Sequence, residues 1–364
     1  MKLDRKIIYS AAFISFLFSY LIHHPLLRKR VYSDIVSFWF RPFITLHEPP
    51  YIQASFEYPP LAGFITYVSA LMKTLTSYYT VFSLFLFVFY IILIEVVIRI
   101  SSNRQTPREL ILIFLALSPS IILYTVYNFD IIFASLLILS LYLFERKRHF
   151  LSAILFSVAA MVKLVNLILL PFILMYVREW RSRALYAAVS LGLFGAVNLA
   201  LWAINPKFID QTYLYHFQWG LENAWFIALF PNPDSWNTAK LFSAFLLCYG
   251  LLKVYLCDFM DLYQRTFMAL SVFLLTNYVF TPQMVLWILP LLAILGALPY
   301  SYFALEFANA GIILTWFESP NPTRFGSIPQ YFAILRGIVL FLMIIEIYQS
   351  SKEVVKDASL EKYL

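Results

Sequence analysis

Long apolar runs alternate with short polar or basic punctuation along nearly the whole chain. The clearest runs are Ile7 to Ile22, Leu110 to Phe144, Phe150 to Val177, Ala184 to Ala203, Leu241 to Cys257, Phe267 to Phe280, Val285 to Leu298, Phe303 to Trp316 and Tyr331 to Ile347. Several approach the ~20 residues that a helix needs to cross a bilayer, and the pattern predicts an all-α, polytopic membrane protein with about eleven to thirteen apolar helices. A single membrane domain over residues 1–364 is expected, with polar loops at 25–58 and 205–237.

Charge supplies the frame. The basic clusters Arg99/Arg104/Arg108, Arg146-Lys147-Arg148 and Arg178/Arg181/Arg183 fall between apolar runs, and the positive-inside rule puts all three in the cytoplasm. Leu110 to Phe144 then reads as a helical hairpin turning near Asn128-Phe129-Asp130. Phe150 to Val177 is too short for two spans and fits two half-length helices meeting around Lys163 to Pro171, sheltered from lipid because irregular backbone at membrane depth must be. Polar punctuation, including loops 25–58 and 205–237 and Thr281-Pro282-Gln283, collects on the external face. Residues 59–98 do not fit this parity: they read as two helices broken near Thr74 to Tyr78, the first tilted or re-entrant, unless Arg28-Lys29-Arg30 marks another frame.

Composition narrows the class. The 364 residues are 62% hydrophobic and 13% charged, with mean hydropathy +0.77, outside the range of ordinary soluble domains. The first apolar run follows Lys2, Arg5 and Lys6, but His23-His24-Pro25 follows it in place of a small-residue cleavage site, so it reads as a retained helix. The net charge of +7 lies in inter-helix clusters and signals topology rather than a nucleic-acid partner. Cys248 and Cys257 lie in one apolar stretch, roughly 13 Å apart along a helix and beyond disulfide reach, which predicts buried free thiols.

Candidate chemistry lies at the polar breaks. Asp34, among aromatics in "RKRVYSDIVSFW", is a carboxylate at a membrane edge that suits a general base or a metal ligand; a solvated partner of Arg28 or Arg30 is the ordinary alternative. Lys163 sits within an apolar run, where an ionisable group is costly and marks a functional candidate or a lysine snorkelling from a helix end. Asn128 and Asp130 fit either turn chemistry or a site at the hairpin tip. His216 in "YLYHFQWGLENAW" suits phosphate binding or proton shuttling, or a loop hydrogen bond at the interface. Gln283 in "FTPQM" suits a sugar hydroxyl or a helix start. In "FEYPPLAGF", Tyr58-Pro59-Pro60 reads as a helix start, where proline is tolerated, and Glu57 either faces the site or supports the helix N-terminus.

Taken in order, Asp34 in a first loop, "FEYPPLAGF", "YNFD", "MVKLVNLILLP", "YHFQWGLENAW" and "FTPQMVLWILP" resemble the GT-C class of membrane glycosyltransferases, which use polyprenyl-phosphate sugars. The likeness runs to the polyprenol-phosphate-mannose-dependent mannosyltransferases of bacteria and archaea, and more weakly to the first mannosyltransferase of GPI-anchor synthesis. It spans residues 32 to 290 through motifs that are each short.

The resemblance implies a GT-C-like helical bundle with an external catalytic loop between its first two helices, in the cell membrane, or the ER membrane if the source is eukaryotic. It implies inverting transfer of a sugar, mannose for preference, from a polyprenyl-phosphate donor to a lipid or glycan acceptor. Asp34 would be the general base; Lys163, His216, Arg28 and Arg30 would meet the donor phosphate; Glu57, Asn128, Asp130, Glu222 and Gln283 would face sugar or acceptor. The paired Asp-x-Asp of the GPI branch is missing here, since Asp34-Ile35-Val36 lacks the second carboxylate, and a divalent metal is not favoured. Trp219 stands where related chains often carry Arg, which removes one phosphate-binding cation; Trp219, Trp225 and Trp236 are candidates for stacking on sugar. A lipid or small-molecule transporter or flippase is the rival reading, since broken helices and an intramembrane lysine serve it equally; a non-catalytic partner subunit is a third.

Overall fold

The computed structural model describes residues 3–27 and 30–360. Arg28 lies outside them. Among the described residues the architecture is helical, and extended pairing is confined to two isolated bridges, Pro50 with Ala54 and Glu222 with Val279. Five helical segments are long and apolar enough to cross a membrane: Arg5–Ile22, Leu75–Arg104, Trp180–Ile204, Pro233–Tyr255 and Ile328–Glu353. The chain divides into two compact units, Met1–Trp219 and Gly220–Leu364.

The first unit carries α1 (Arg5–Ile22), α2 (Asp34–Trp39), α3 (Pro42–Thr45), α4 (Pro60–Ala70), α5 (Leu75–Arg104), α6 (Arg108–Leu115), α7 (Pro119–Tyr124), α8 (Asp130–Glu145), α9 (His149–Ala160), α10 (Leu170–Leu174), α11 (Trp180–Ile204) and α12 (Phe208–Thr212). Proline sets several of these starts: Pro60, Pro119 and Pro171 occupy the first or second helical position of α4, α7 and α10, where the missing N–H costs nothing. The apolar runs are therefore more broken than hydropathy alone predicts. Leu110 to Phe144 comprises α6, α7 and α8, with the connection between α7 and α8 at 125–129. α4, with 11 residues, reaches about 17 Å, short of the ~30 Å hydrocarbon core, so in residues 59–98 only α5 is long enough to cross.

α5 packs on α8, α8 on α9, and α9 on α11. Serines permit close approach between α8 and α9: the Ser140 hydroxyl donates to the Ser152 carbonyl at 2.9 Å and Ser152 donates back to the Ser140 carbonyl at 2.8 Å, small polar residues serving as interhelical contacts. The half-length pieces expected in Phe150 to Val177 are α9, a 3-10 turn at Leu164–Leu169, and α10. Lys163 is extended at this break, with φ −141° and ψ 118°. Asn166, fully buried, donates to the Phe156 carbonyl at 2.7 Å, which fastens the break back onto the last turns of α9 and satisfies the buried amide's N–H.

The second unit carries α13 (Trp236–Tyr255), α14 (Leu262–Thr276), α15 (Leu289–Leu295), α16 (Tyr302–Trp316) and α17 (Ile328–Leu360). Arg336 of α17 is fully buried and donates to Asn309 Oδ1 at 2.6 Å, to the Asn223 carbonyl at 2.7 Å and to the Phe280 carbonyl. Its guanidinium lies 3.6 Å from the centroid of the Phe280 ring. A buried cation is thereby held by carbonyl dipoles, as intramembrane cations must be. The thiols differ from the expectation of burial: both are free, but Cys248 is exposed on α13 and Cys257 half-buried, since an outward face of a membrane helix is as apolar in sequence as an inward one.

Gly63 of α4 has a close neighbour in Tyr51, whose ring occupies the space a Cβ would need. The Tyr51 hydroxyl in turn donates to the Tyr58 and Pro59 carbonyls, at 2.7 and 2.9 Å. Gly63→Val is expected to destabilise by about 1–3 kcal/mol through overpacking and to lower activity by displacing the Tyr58-Pro59 step. Thermal unfolding in detergent beside a transfer assay measures both.

Candidate active site

The loop between α1 and α4 does not float. Ser33, buried at the start of α2, directs its hydroxyl toward the Val126 and Tyr127 carbonyls at 3.3 and 3.4 Å. The Ile35 N–H reaches the Tyr127 carbonyl at 3.3 Å. Ser19 of α1 accepts the Val126 N–H at 2.9 Å, and the buried His23 ring bridges the Val31 and Leu123 carbonyls at 3.0 and 2.8 Å. Ser19, His23, Ser33 and Ile35 are thus tied to the end of α7 and the connection after it, and the position of Asp34 follows from the ties on either side of it.

Asn128 sits at the centre. Its Nδ2 donates to Asp34 Oδ2 at 2.7 Å and to the Tyr58 hydroxyl at 3.2 Å, while its Oδ1 accepts the Phe129 N–H at 2.6 Å. The side chain is wholly buried. The Tyr32 hydroxyl is a second hydrogen-bond partner of Asp34. Asp34 itself is half-buried. Burial pushes its carboxyl from 3.8 up to about 6, with Asp130 adding to the rise, while the Tyr32 hydroxyl, the Lys163 ammonium and the Asn128 amide pull the other way. A carboxylate of that basicity is ionised at neutral pH yet able to take a proton.

Lys163 reaches the same place from the break after α9. Its Nζ lies 3.4 Å from Asp130 Oδ1, with the lysine side chain 11% exposed and the aspartate fully buried, and 5.3 Å from the centroid of the Tyr58 ring. The Leu61 N–H donates to the Met161 carbonyl at 2.9 Å, so the start of α4 and the break that carries Lys163 are fastened together. Phe129 packs between these parts, with ring centroids 5.7 Å from Phe38, 5.2 Å from Tyr58 and 5.4 Å from Phe82. These aromatics lie beside a cation and two carboxylates, and apolar neighbours lower the local dielectric, which strengthens their mutual fields.

His216 joins from the 3-10 turn at Leu214–Gln218. Its ring meets Tyr58 edge-on at 6.2 Å and Trp219 at 4.9 Å. The segment is held to the first loop by the Thr212 hydroxyl on the Phe56 carbonyl, 3.0 Å, and by Asn205 Nδ2 on the Tyr51 carbonyl, 3.1 Å. Burial, and then the positive charge of Lys163, hold its imidazole below the ordinary value of 6.5, so it is neutral at pH 7.

Five of the expected residues therefore converge: Asp34, Asn128, Asp130, Lys163 and His216. Glu57 lies close to them, within electrostatic reach of His216 and Tyr58. Glu57 is engaged by Arg41 in a two-pronged ion pair, and the Arg41 guanidinium lies 5.0 and 5.6 Å from the Phe38 and Phe56 ring centroids. Arg30 is exposed. Glu222 belongs to the second unit, where its backbone pairs with Tyr278 and Phe280; Gln283, also there, is buried on a 3-10 turn at Pro282–Trp287. Among the described residues no three His, Cys, Asp or Glu side chains gather as a metal site. Sequence reasoning passed over Tyr32, Tyr58 and Arg41. Tyr58 was legible as part of a helix start, but its hydroxyl's role depends on Asn128, 70 residues away.

These features define a helical membrane protein that brings the carboxylate at the start of α2 near a largely buried lysine and a neutral histidine, a set suited to group transfer beside an anion. The family model for glycosyltransferase family 87 matches residues 56–320, and the chain belongs to that family. Asp34 lies upstream of the matched residues, so its place rests on the geometry above. Among solved structures, the chain is similar to ArnT from Cupriavidus metallidurans bound to undecaprenyl phosphate, with 15% identity over 95% of this chain and 77% of that one at a TM-score of 0.49. The apo form of the same ArnT gives 16%, 95%, 75% and 0.49. No curated protein matches the sequence.

Lys163→Met is expected to destabilise the protein by about 3–5 kcal/mol, because Asp130 is left buried without its cation. Adding Asp130→Asn should recover much of that loss. A double-mutant cycle on unfolding in detergent measures the coupling, and additive losses would disprove it.

Proposed function

We propose that this family-87 chain has a GT-C-like fold and moves a mannosyl group from a polyprenyl-phosphate donor to a hydroxyl of a lipid or glycan acceptor, with inversion, at the external face of the membrane. The observation that carries the reading is the convergence of Asp34, held by Asn128, with the Lys163–Asp130 pair and His216. Asp34 takes the proton from the acceptor hydroxyl as its oxygen attacks the anomeric carbon. The bond from that carbon to the phosphate oxygen breaks, and its electrons leave with polyprenyl phosphate. Lys163 and a neutral His216 N–H meet the developing negative charge, as charge-assisted donors do.

The family supports glycosyl transfer over the transporter reading. Mannose and the polyprenyl-phosphate donor come from the resemblance of the motifs, and an apolar, aromatic-walled site with one buried cation is compatible with a lipid phosphate. The external face is supported by charge: α8 separates Asp130 from Arg146-Lys147-Arg148 by about 24 Å, and basic clusters belong inside.

Asp34→Asn keeps the shape of the side chain and removes its basicity. Transfer from radiolabelled polyprenyl-phosphate mannose should fall by about 10² to 10⁴, the usual range for general-base catalysis, with donor affinity retained on the same purified preparation. Near-normal turnover would remove Asp34 from the mechanism. For the face, a single cysteine at His216 should label with an impermeant reagent from outside and one at Lys147 only from inside; labelling from the same side would overturn the frame.

A further inference from the structure

The α7–α8 connection does more than neighbour the carboxylate. It offers Asp34 three separate holds: two carbonyls that receive Ser33 and Ile35, at 3.3 Å for each nearest contact, and the Asn128 amide at 2.7 Å. An asparagine amide has two orientations, and here the backbone chooses between them. The Phe129 N–H, 2.6 Å from Asn128 Oδ1, would face another donor if the amide were turned over, so Nδ2 is obliged to point at Asp34 and Tyr58. The amide is fully buried and its orientation is not negotiable by solvent.

We propose that Asn128 is the positioning residue of the base, fixing the direction of the Asp34 carboxylate through Nδ2 and favouring its ionised form, rather than a residue that touches the sugar. The proposal rests on the reading of Asp34 as base. It assigns Asn128 a task that needs a fixed N–H donor at one place, which turn chemistry does not.

Charged and titratable groups face Asp34 from several directions. Tyr32 comes from its own loop, Asn128 and Tyr127 from the α7–α8 connection, Asp130 from α8, Tyr58 from the start of α4, Arg41 from the turn after α2, and Lys163 from the break after α9. Of these, Asp130 raises the carboxyl, while Lys163 lowers it by charge and Tyr32 and Asn128 by hydrogen bonding. Removing the Asn128 donor therefore moves the Asp34 carboxyl upward, whatever the fixed charges contribute. Because only the ionised form accepts a proton, activity is lost as pH falls through that value, and the loss sets in at higher pH in the variant.

The test is the pH profile of kcat/KM for the full-length protein in detergent with radiolabelled polyprenyl-phosphate mannose, in wild type, Asn128→Ala and Asn128→Ser. A hydrogen bond to a charged group is worth enough to move the acid limb from about 6 up by roughly one to two pH units in Asn128→Ala. kcat/KM at pH 6.5 should then fall by roughly 3- to 25-fold, as one to two pH units imply, and largely recover at pH 9, with KM for donor little changed. Asn128→Ser, which keeps a shorter donor, should fall between. A pH-independent loss in Asn128→Ala, or an unmoved limb with full turnover, would overturn the positioning role while leaving the base intact. Should neither variant fold, the near-isosteric Asn128→Asp, which keeps the Phe129 N–H contact and replaces the donor by a carboxylate, decides through the same profile: the acid limb should rise, and an unmoved limb overturns the proposal. A wild-type profile with no acid limb near 6 would sink the base reading itself, a result distinct from either of these.

Discussion

A carboxylate placed in a membrane protein away from bulk water needs partners supplied by the chain, and the Asn128 amide is the partner from which the site is organised. With Oδ1 committed to a backbone N–H, Nδ2 has no freedom, and Asp34 and Tyr58 take their positions from it. The remaining contacts serve that arrangement. Ser33 and Ile35 bring the loop to the α7–α8 connection, Ser19 and His23 hold that connection against α1, and Phe129 fills the apolar gap behind it.

The charges follow the same economy of partners. Lys163 is carried at a break in the helical path, where an extended residue lets it approach Asp130 without a full helix turn of side chain beneath it. Asp130 is fully buried and pairs with the ammonium beside Tyr58. On the proposed reading, the ammonium is then oriented before any phosphate arrives, which is how electrostatic stabilisation avoids reorganisation at the moment of reaction. His216, kept neutral by burial and by Lys163, adds a donor without adding a second buried cation.

Glu57 shows how a local motif acquires a different purpose in three dimensions. Next to Tyr58-Pro59-Pro60 it reads as a residue of the site or a helix-terminus charge. In the fold it clasps Arg41, whose guanidinium also rests against Phe38 and Phe56. The clasp joins the end of α2 to the residue just before Tyr58, and the two halves of the first loop become one body. Tyr51, packed against Gly63 and bonded to the Tyr58 and Pro59 carbonyls, fixes the far side of the same step.

The residues alone determined the membrane class, the helical architecture, the half-length pieces around Lys163 and the connection near Asn128, because hydropathy, proline and basic clusters are local properties that a bilayer reads directly. Asp34, Lys163 and His216 were legible for a related reason: an ionisable group beside an apolar run is costly wherever it is placed. Tertiary structure alone decided the rest. Tyr32, Tyr58 and Arg41 are ordinary loop residues until Asn128, Asp34 and Glu57 reach them, and Asn128 reads as turn chemistry until its amide meets a carboxylate 94 residues away. The exposure of Cys248 was equally out of reach, since lipid and protein interior select the same apolar residues and only packing distinguishes one side of a helix from the other.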